Sequence, residues 1–310
     1  MSKNVFLFSG QGSQYVGMGK ELCEAYPEIK DMYDKASEIL GFDLAEKSWN
    51  SEESELAQTN YSQPAIMMTS LAAFNAVKKG GVEFSAVAGH SLGEYAAMVA
   101  AGVLSFEDGF KVIKARAAAM QRAAENQHGV MAAVMGQTPE DIERICASVD
   151  GYVVPVNYNS AVQTVIAGEP DAMDAAQAKF AEAGAKVIRL NVAAAFHSKL
   201  MQPAADEFEA ELKNMNVTFN KPNVAFFSNL YGKEMPDFDN MPEKLAKHIV
   251  SPVRFTSELA VMKEQGFDGY IELGPGKVLT GLVKKTLKEV NAVNVENAKT
   301  LEKALAEFGK

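Results

Sequence analysis

The chain has 310 residues, 47% hydrophobic and 23% charged, with a formal net charge of -10 at pH 7. This is ordinary globular composition, long enough for one domain with an insertion or for two domains. The acidic balance argues against a nucleic-acid binder, which needs a basic face. No apolar run approaches the roughly 18 residues of a membrane span, and Val5-Phe6-Leu7-Phe8 is too short for a secretory signal. Cys23 and Cys146 are far apart and unpatterned, as expected of core or helix-face thiols in a reducing cytoplasm.

In chain order, Asn4 to Phe8 reads as a strand that runs into Ser9-Gly10-Gln11-Gly12-Ser13-Gln14. This Gly-rich turn precedes a helix from about Met18 to Ala25. It lacks the Lys-Ser/Thr ending of a Walker loop and the third spaced glycine of a dinucleotide loop. The pattern to Leu104 is mostly helical, with a loop expected near Trp49 to Gln63. Ser85 to Ala88 is a short apolar strand, followed by Gly89-His90-Ser91-Leu92-Gly93 and an Ala- and Met-rich helix to about Val103. That is the G-x-S-x-G pattern in the strand-turn-helix setting of a nucleophile elbow. Such a turn lifts a serine hydroxyl out of the fold and aims the first helical N–H groups at a developing oxyanion. Ser105 with Glu107 and Asp108 marks the start of a helix to about Asn126. Its apolar stripe is Phe106, Phe110, Ile113, Ala117, Met120 and Ala124.

From Gly129 the texture changes. Strands are expected at Gly129 to Met135, Tyr152 to Tyr158, Thr164 to Ala167 and Lys186 to Asn191. Helices are expected at Thr138 to Ala147 and Asp171 to Ala183. This β-α-β-β-α-β order is the ferredoxin-like pattern. Helical pattern returns at Leu200 to Met215. It is followed by a strand at Asn223 to Ser228, a helix at Pro242 to Ile249, a strand at Phe267 to Glu272, Gly274-Pro275-Gly276, and a helix from Val278 to Glu289. Strands and helices alternate on both sides of the insert, which implies an α/β core with a mainly parallel sheet. The expected division is a catalytic core of residues 1–127 and 195–310 and a subdomain of residues 128–194.

A serine nucleophile needs a base, and the chain has four histidines. His90 precedes Ser91 in the turn and is expected to point to its opposite side as a structural residue. His128 lies in a loop at the insert boundary, and His248 late in a helix. His197 follows Ala193-Ala194-Ala195-Phe196 at the junction where the insert rejoins the core, and is the favoured base. Its alternative is a satisfied junction histidine. No acidic residue declares itself as the third member of a triad, and a backbone carbonyl can serve instead. Arg116 lies beside the apolar stripe of its helix. Either its stem covers the core with the head in water, or the head is buried and requires an anion. A buried arginine beside an acylated serine favours an acyl group ending in a carboxylate.

Five motifs occur together in order: Gly10-Gln11-Gly12-Ser13-Gln14, Gly89-His90-Ser91-Leu92-Gly93-Glu94, Arg116, Phe196-His197-Ser198 and Gly274-Pro275-Gly276. Over nearly the whole chain this set resembles the malonyl-CoA:acyl carrier protein transacylase family of bacterial fatty acid synthesis, and is similar to the acyltransferases of polyketide synthases. The resemblance implies an α/β-hydrolase-like core with an inserted ferredoxin-like subdomain. It implies Ser91 as the acylated nucleophile and His197 as its base. It also implies an oxyanion hole from the N–H groups of Gln11 and Leu92, and Arg116 on the malonyl carboxylate. Gln63, Asn159 and Gln163 match further site positions. Two residues depart from it. His248 stands where the family usually has Gln or Asn, whose main-chain carbonyl orients the histidine. Phe196 is more typical of malonyl-selective polyketide acyltransferases.

The implied reaction moves a malonyl group from malonyl-CoA to Ser91, then to the phosphopantetheine thiol of acyl carrier protein. No metal or tightly bound cofactor is implied. Carrier proteins of this pathway are acidic, as this chain is, so docking needs a local basic patch. Lys277, Lys284, Lys285 and Lys288 supply one, or form an ordinary solvated helix face. A G-x-S-x-G esterase or thioesterase would share Ser91 and His197 but have no use for Arg116 or the Gly10–Gln14 motif. A non-enzymatic scaffold would not need nucleophile, base and arginine together.

Overall fold

The computed structural model describes residues 3–126, 128–192 and 194–309; Gln127, at the expected domain boundary, and Ala193, in the alanine run, lie outside the described residues. Among the described residues ten strands form two sheets. They are β1 (Asn4–Phe8), β2 (Ala86–Gly89), β3 (Val130–Met135), β4 (Val153–Ser160), β5 (Gln163–Gly168), β6 (Lys186–Arg189), β7 (Ala225–Ser228), β8 (Lys233–Glu234), β9 (Gly269–Leu273) and β10 (Asn291–Val295).

The larger sheet has the order β10-β9-β1-β2-β7-β8. It is parallel from β10 to β7, and only the short edge strand β8 is antiparallel. Every residue of β1, β2 and β9 is buried. Helices cover both faces, so these strands are continuous apolar runs rather than alternating ones. Two apolar cores result, one on each face: Phe6 and Phe8 point into the first, Val5 and Leu7 into the second. On the first face the Phe6 and Phe84 rings stack at 4.3 Å, with Phe74 edge-on to both.

The smaller sheet is antiparallel, with the order β4-β5-β3-β6. Helices Pro139–Ala147 and Pro170–Glu182 connect its strands as β-α-β-β-α-β. Thr138 caps the first by accepting from the Asp141 N–H, and Pro170 opens the second at its first helical position. Ile142, Ile166, Met173 and Phe180 form its own core. The expected α/β-hydrolase-like core with a ferredoxin-like insert is therefore the fold.

Several elements differ from the sequence expectation. The stretch expected as a loop from Trp49 to Gln63 holds the helix Glu53–Leu56 and the start of the long helix Thr59–Lys79. Pro64 hid that helix, because a proline past the first turn reads as a breaker. The elbow helix is Gly93–Ala100, and Gly102 at φ 75 ends it early. The last expected helix stops at Thr286. Two elements near the C-terminus, β10 and the helix Ala298–Phe308, carried too weak a signal to be read. The helix is capped by a reciprocal Asn297–Thr300 box.

Candidate active site

Ser9–Gln14 leaves the carboxyl end of β1, Ser91 that of β2 and Asn229 that of β7. Open parallel sheets bind ligands at this edge. Here the smaller sheet lies over it and encloses a cavity of about 510 Å³. Its lining includes Gln11, His90, Ser91, Asn159, Gln163, Phe196 and His197.

The turn at Ser91 is tight for two stated reasons. Ser91 adopts φ 54, a left-handed conformation uncommon for residues other than glycine. A Cβ on Gly89 would fall 2.1 Å from the Glu94 nitrogen, and one on Gly93 would fall 2.1 Å from the Phe8 carbonyl oxygen. Both glycines therefore serve close backbone approach, of the elbow to its own helix and of that helix to β1. Among the hydrogen bonds of the described residues, none uses the Leu92 or Gln11 N–H. Two donors thus remain for a ligand oxygen.

Ser91 Oγ lies 2.7 Å from His197 Nε2. His197 Nδ1 lies 3.1 Å from both the His248 and the Ser251 carbonyl oxygens. Carbonyls only accept, so Nδ1 carries the proton and Nε2 is the free base facing the hydroxyl. Burial, and then the nearby Arg116 charge, push the His197 pKa down to about 3. The imidazole is thus neutral at physiological pH. Among the described residues no carboxylate completes a triad; two main-chain oxygens orient the ring.

Arg116 is fully buried on the helix Phe106–Asn126. Nη1 donates to Gln63 Oε1 at 2.7 Å, and Nη2 to Ser91 Oγ at 3.2 Å. The guanidinium carbon sits 5.2 Å from the Tyr95 ring centroid. Its Nε has no partner, and among the described residues it forms no ion pair. A buried guanidinium with only neutral hydrogen-bond partners is an anion site. Gln63 in turn approaches Gln11 Oε1 and Met120 Sδ, each at 3.4 Å.

The expectation for His90 is corrected. Its ring lines the same cavity as Ser91, and Nε2 bonds Asn159 Oδ1 at 2.8 Å. Burial holds its pKa below the usual value, so it is a neutral tie between elbow and insert. Asn159 also approaches Gln163, at 3.5 Å. Phe196 is buried beside His197. His128 is exposed.

At His248 it is the main-chain carbonyl that meets His197, while both ring nitrogens are buried without a hydrogen bond. The nearest acid is Glu94, 3.6 Å from Nδ1. Burial lowers the His248 pKa and raises that of Glu94 to about 8. The expected result for His248→Gln is that malonyl transfer stays within about 3-fold of wild type, since a change confined to the side chain keeps the carbonyl that orients His197. Steady-state kinetics check this; a loss as large as that of His197→Ala would place the ring itself in the chemistry.

Sequence reading missed Asn229, Glu258 and Ser251. Asn229 carried one signal, a polar residue directly after an apolar strand.

A neutral base on a serine in a left-handed elbow, beside an arginine lacking its anion, defines an acyl-transfer site of the serine class. The acyl transferase domain family matches residues 5–305, and the chain belongs to it. Its relatives include the malonyl CoA-acyl carrier protein transacylases of Bacillus subtilis (38% identical over 309 residues, 98% of this chain and 97% of that protein) and Escherichia coli K12 (37%, 98% and 99%). The solved transacylase of Clostridium perfringens is 42% identical with TM-score 0.94, covering 99% of this chain and 97% of that one. A malonyl-transacylase solved with a type II PKS acyl-carrier protein is 36% identical with TM-score 0.93, covering 99% and 100%. Among the described residues no helix is long and apolar enough to cross a membrane.

Proposed function

We propose that the chain transfers a malonyl group from malonyl-CoA to the phosphopantetheine thiol of acyl carrier protein, as an [acyl-carrier-protein] S-malonyltransferase that supplies fatty acid synthesis in the cytoplasm. The carrying observation is Arg116, buried without an ion pair among the described residues and 3.2 Å from Ser91 Oγ. An acyl group on Ser91 that ends in a carboxylate would supply the missing charge.

His197 Nε2 takes the Ser91 proton as Oγ attacks the thioester carbonyl. The N–H groups of Gln11 and Leu92 receive the oxyanion. The C–S bond breaks, CoA leaves as a thiol with the proton from His197, and malonyl-Ser91 remains. The carrier thiol then gives its proton to His197, attacks the ester and leaves with the malonyl group, and Ser91 regains its proton. Gln63, Asn159, Gln163 and Phe196 shape the acyl and pantetheine path. Residues 1–127 and 195–310 act as the catalytic core, with residues 128–194 as its ferredoxin-like subdomain. Val278, Leu279 and Leu282 line the cavity from the helix Val278–Thr286. Lys284 and Lys285 are exposed on that helix, which suits them to an acidic carrier protein. The names of the relatives support this reading, one of them having been solved with its carrier protein.

Arg116→Ala tests the substrate class. Malonyl kcat/KM is expected to fall roughly 100-fold or more, the usual loss when one partner of a buried charge pair is removed. Acetyl kcat/KM should hold or rise, since a neutral acyl group no longer meets an unpaired charge. Equal losses for both thioesters would sink the dicarboxylic substrate. A serine hydrolase is separated by mass spectrometry after mixing with malonyl-CoA: a persistent Ser91 adduct is the transferase result, rapid free malonate the hydrolase one.

A further inference from the structure

Beneath the elbow lies a buried polar cluster that the transfer steps do not use. Asn229, the first residue after β7, is fully buried. Its Oδ1 accepts from the Ser91 N–H at 2.7 Å. Its Nδ2 donates to the Gly89 carbonyl at 2.7 Å and to Glu258 Oε1 at 2.7 Å. Its own N–H donates to Glu94 Oε1. One side chain therefore grips the turn on both sides, at the carbonyl of Gly89 and at the N–H of Ser91. Backbone held at φ 54 persists only where the surroundings over-determine it, and this amide supplies that constraint.

We infer that Asn229 is a positioning residue for the nucleophile. It holds Ser91 in the left-handed turn, so that Oγ meets His197 Nε2 and the following Leu92 N–H faces the acyl oxygen. The inference rests on reading Ser91 as the nucleophile. The position demands an amide. It needs an acceptor toward Ser91 and donors toward a carbonyl and a carboxylate, all from one planar group.

Asn229→Asp keeps the shape and removes the donors. The new carboxylate would face the Gly89 carbonyl and the buried acids Glu94 and Glu258. Glu94 comes from the helix Gly93–Ala100 and Glu258 from Phe255–Glu264. The neutral ring of His248 lies beyond Glu94 at 3.6 Å, and the Arg116 charge acts on Glu94 through space. Burial already lifts the pKa of Glu94 and Glu258 above the ordinary carboxylate range, and the new carboxyl, buried beside them, should likewise take up a proton well above that range. Once protonated it again offers one donor and one acceptor.

The experiment is rapid-quench mass spectrometry of malonyl-Ser91 formation from malonyl-CoA, with steady-state kinetics, for wild type, Asn229→Asp and Asn229→Ser between about pH 5.5 and 8, a window that lies above ordinary carboxyl titration and so reads only a raised carboxyl. At the high end kcat for Asn229→Asp should fall on the order of 100-fold, the scale of losing one aligned oxyanion donor, with KM within about 3-fold. Its deficit should narrow as the pH falls, while that of Asn229→Ser stays constant. A folded Asn229→Asp with near-wild-type kcat would overturn the inference. So would a deficit carried by KM, or one that ignores pH. Unfolding of both variants would also overturn it, because the residue would then be holding the fold rather than the serine. Wild type that forms no adduct on Ser91 would remove the nucleophile reading itself, a result visible before any variant is compared.

Discussion

Ser91→Ala is expected to abolish both the malonyl adduct and transfer to acyl carrier protein. The proposed chemistry passes through one oxygen, 2.7 Å from the base and 3.2 Å from the arginine. The Cys146 thiol cannot stand in for it. It belongs to the core of the smaller sheet, and burial raises its pKa to about 12, so it is not a thiolate. The variant should remain folded, because the Asn229 grip is on the Ser91 backbone and an alanine keeps that N–H. Intact-protein mass spectrometry with malonyl-CoA checks the result, with thermal unfolding as the control. An adduct persisting in folded Ser91→Ala would move the nucleophile elsewhere.

His197→Ala is expected to slow acylation by roughly 10²- to 10⁴-fold, the usual contribution of a positioned general base, while His128→Ala leaves it unchanged. Single-turnover adduct formation measures this, and equal behaviour of the two variants would refute the assignment of the base. The pH dependence carries its own sign. His197 is held down to about 3 by burial first and Arg116 second, whereas an unfolded histidine titrates near 6.5. Between about pH 6.5 and 4 the unfolded chain therefore binds a proton that the native site refuses, and native stability falls as the pH falls through that window. The base itself stays free over the same range, so kcat/KM for malonyl-CoA should show no break near 6.5. Malonyl binding should oppose this depression, because the carboxylate offsets the Arg116 field that contributes to it. A break at about 6.5 in kcat/KM, which reports the free enzyme, would mean that His197 is solvated before substrate enters.

Much of this protein is local, and that part was legible in the sequence. The run Asn4–Phe8 read as a short apolar strand, and it is one. Ser105 capped its helix, donated to by the Asp108 N–H, and the β-α-β-β-α-β spacing specified the smaller sheet. Ser91 was readable because an elbow is a short contiguous pattern whose glycines are required by contacts within the turn and with β1. Other features depend on what the chain brings together over long separations. His197 lies 106 positions from Ser91, and its tautomer is set by two carbonyls more than 50 positions further on. Backbone oxygens carry no residue code, so no sequence pattern announces them. Arg116 was open between a solvated head and a buried one, and only the packing of Tyr95 and Gln63 around it decided for burial. His90 was misjudged for the same reason: its orientation is settled by Asn159, which arrives from the other sheet. Asn229 was passed over, because a polar residue after an apolar strand says nothing of an amide reaching across from β7 to the backbone of Ser91, 138 positions away. Sequence determined which turn would present a serine; tertiary structure alone decided the charge, tautomer and backbone support of the groups around it, because those follow from burial and from contacts between distant strands.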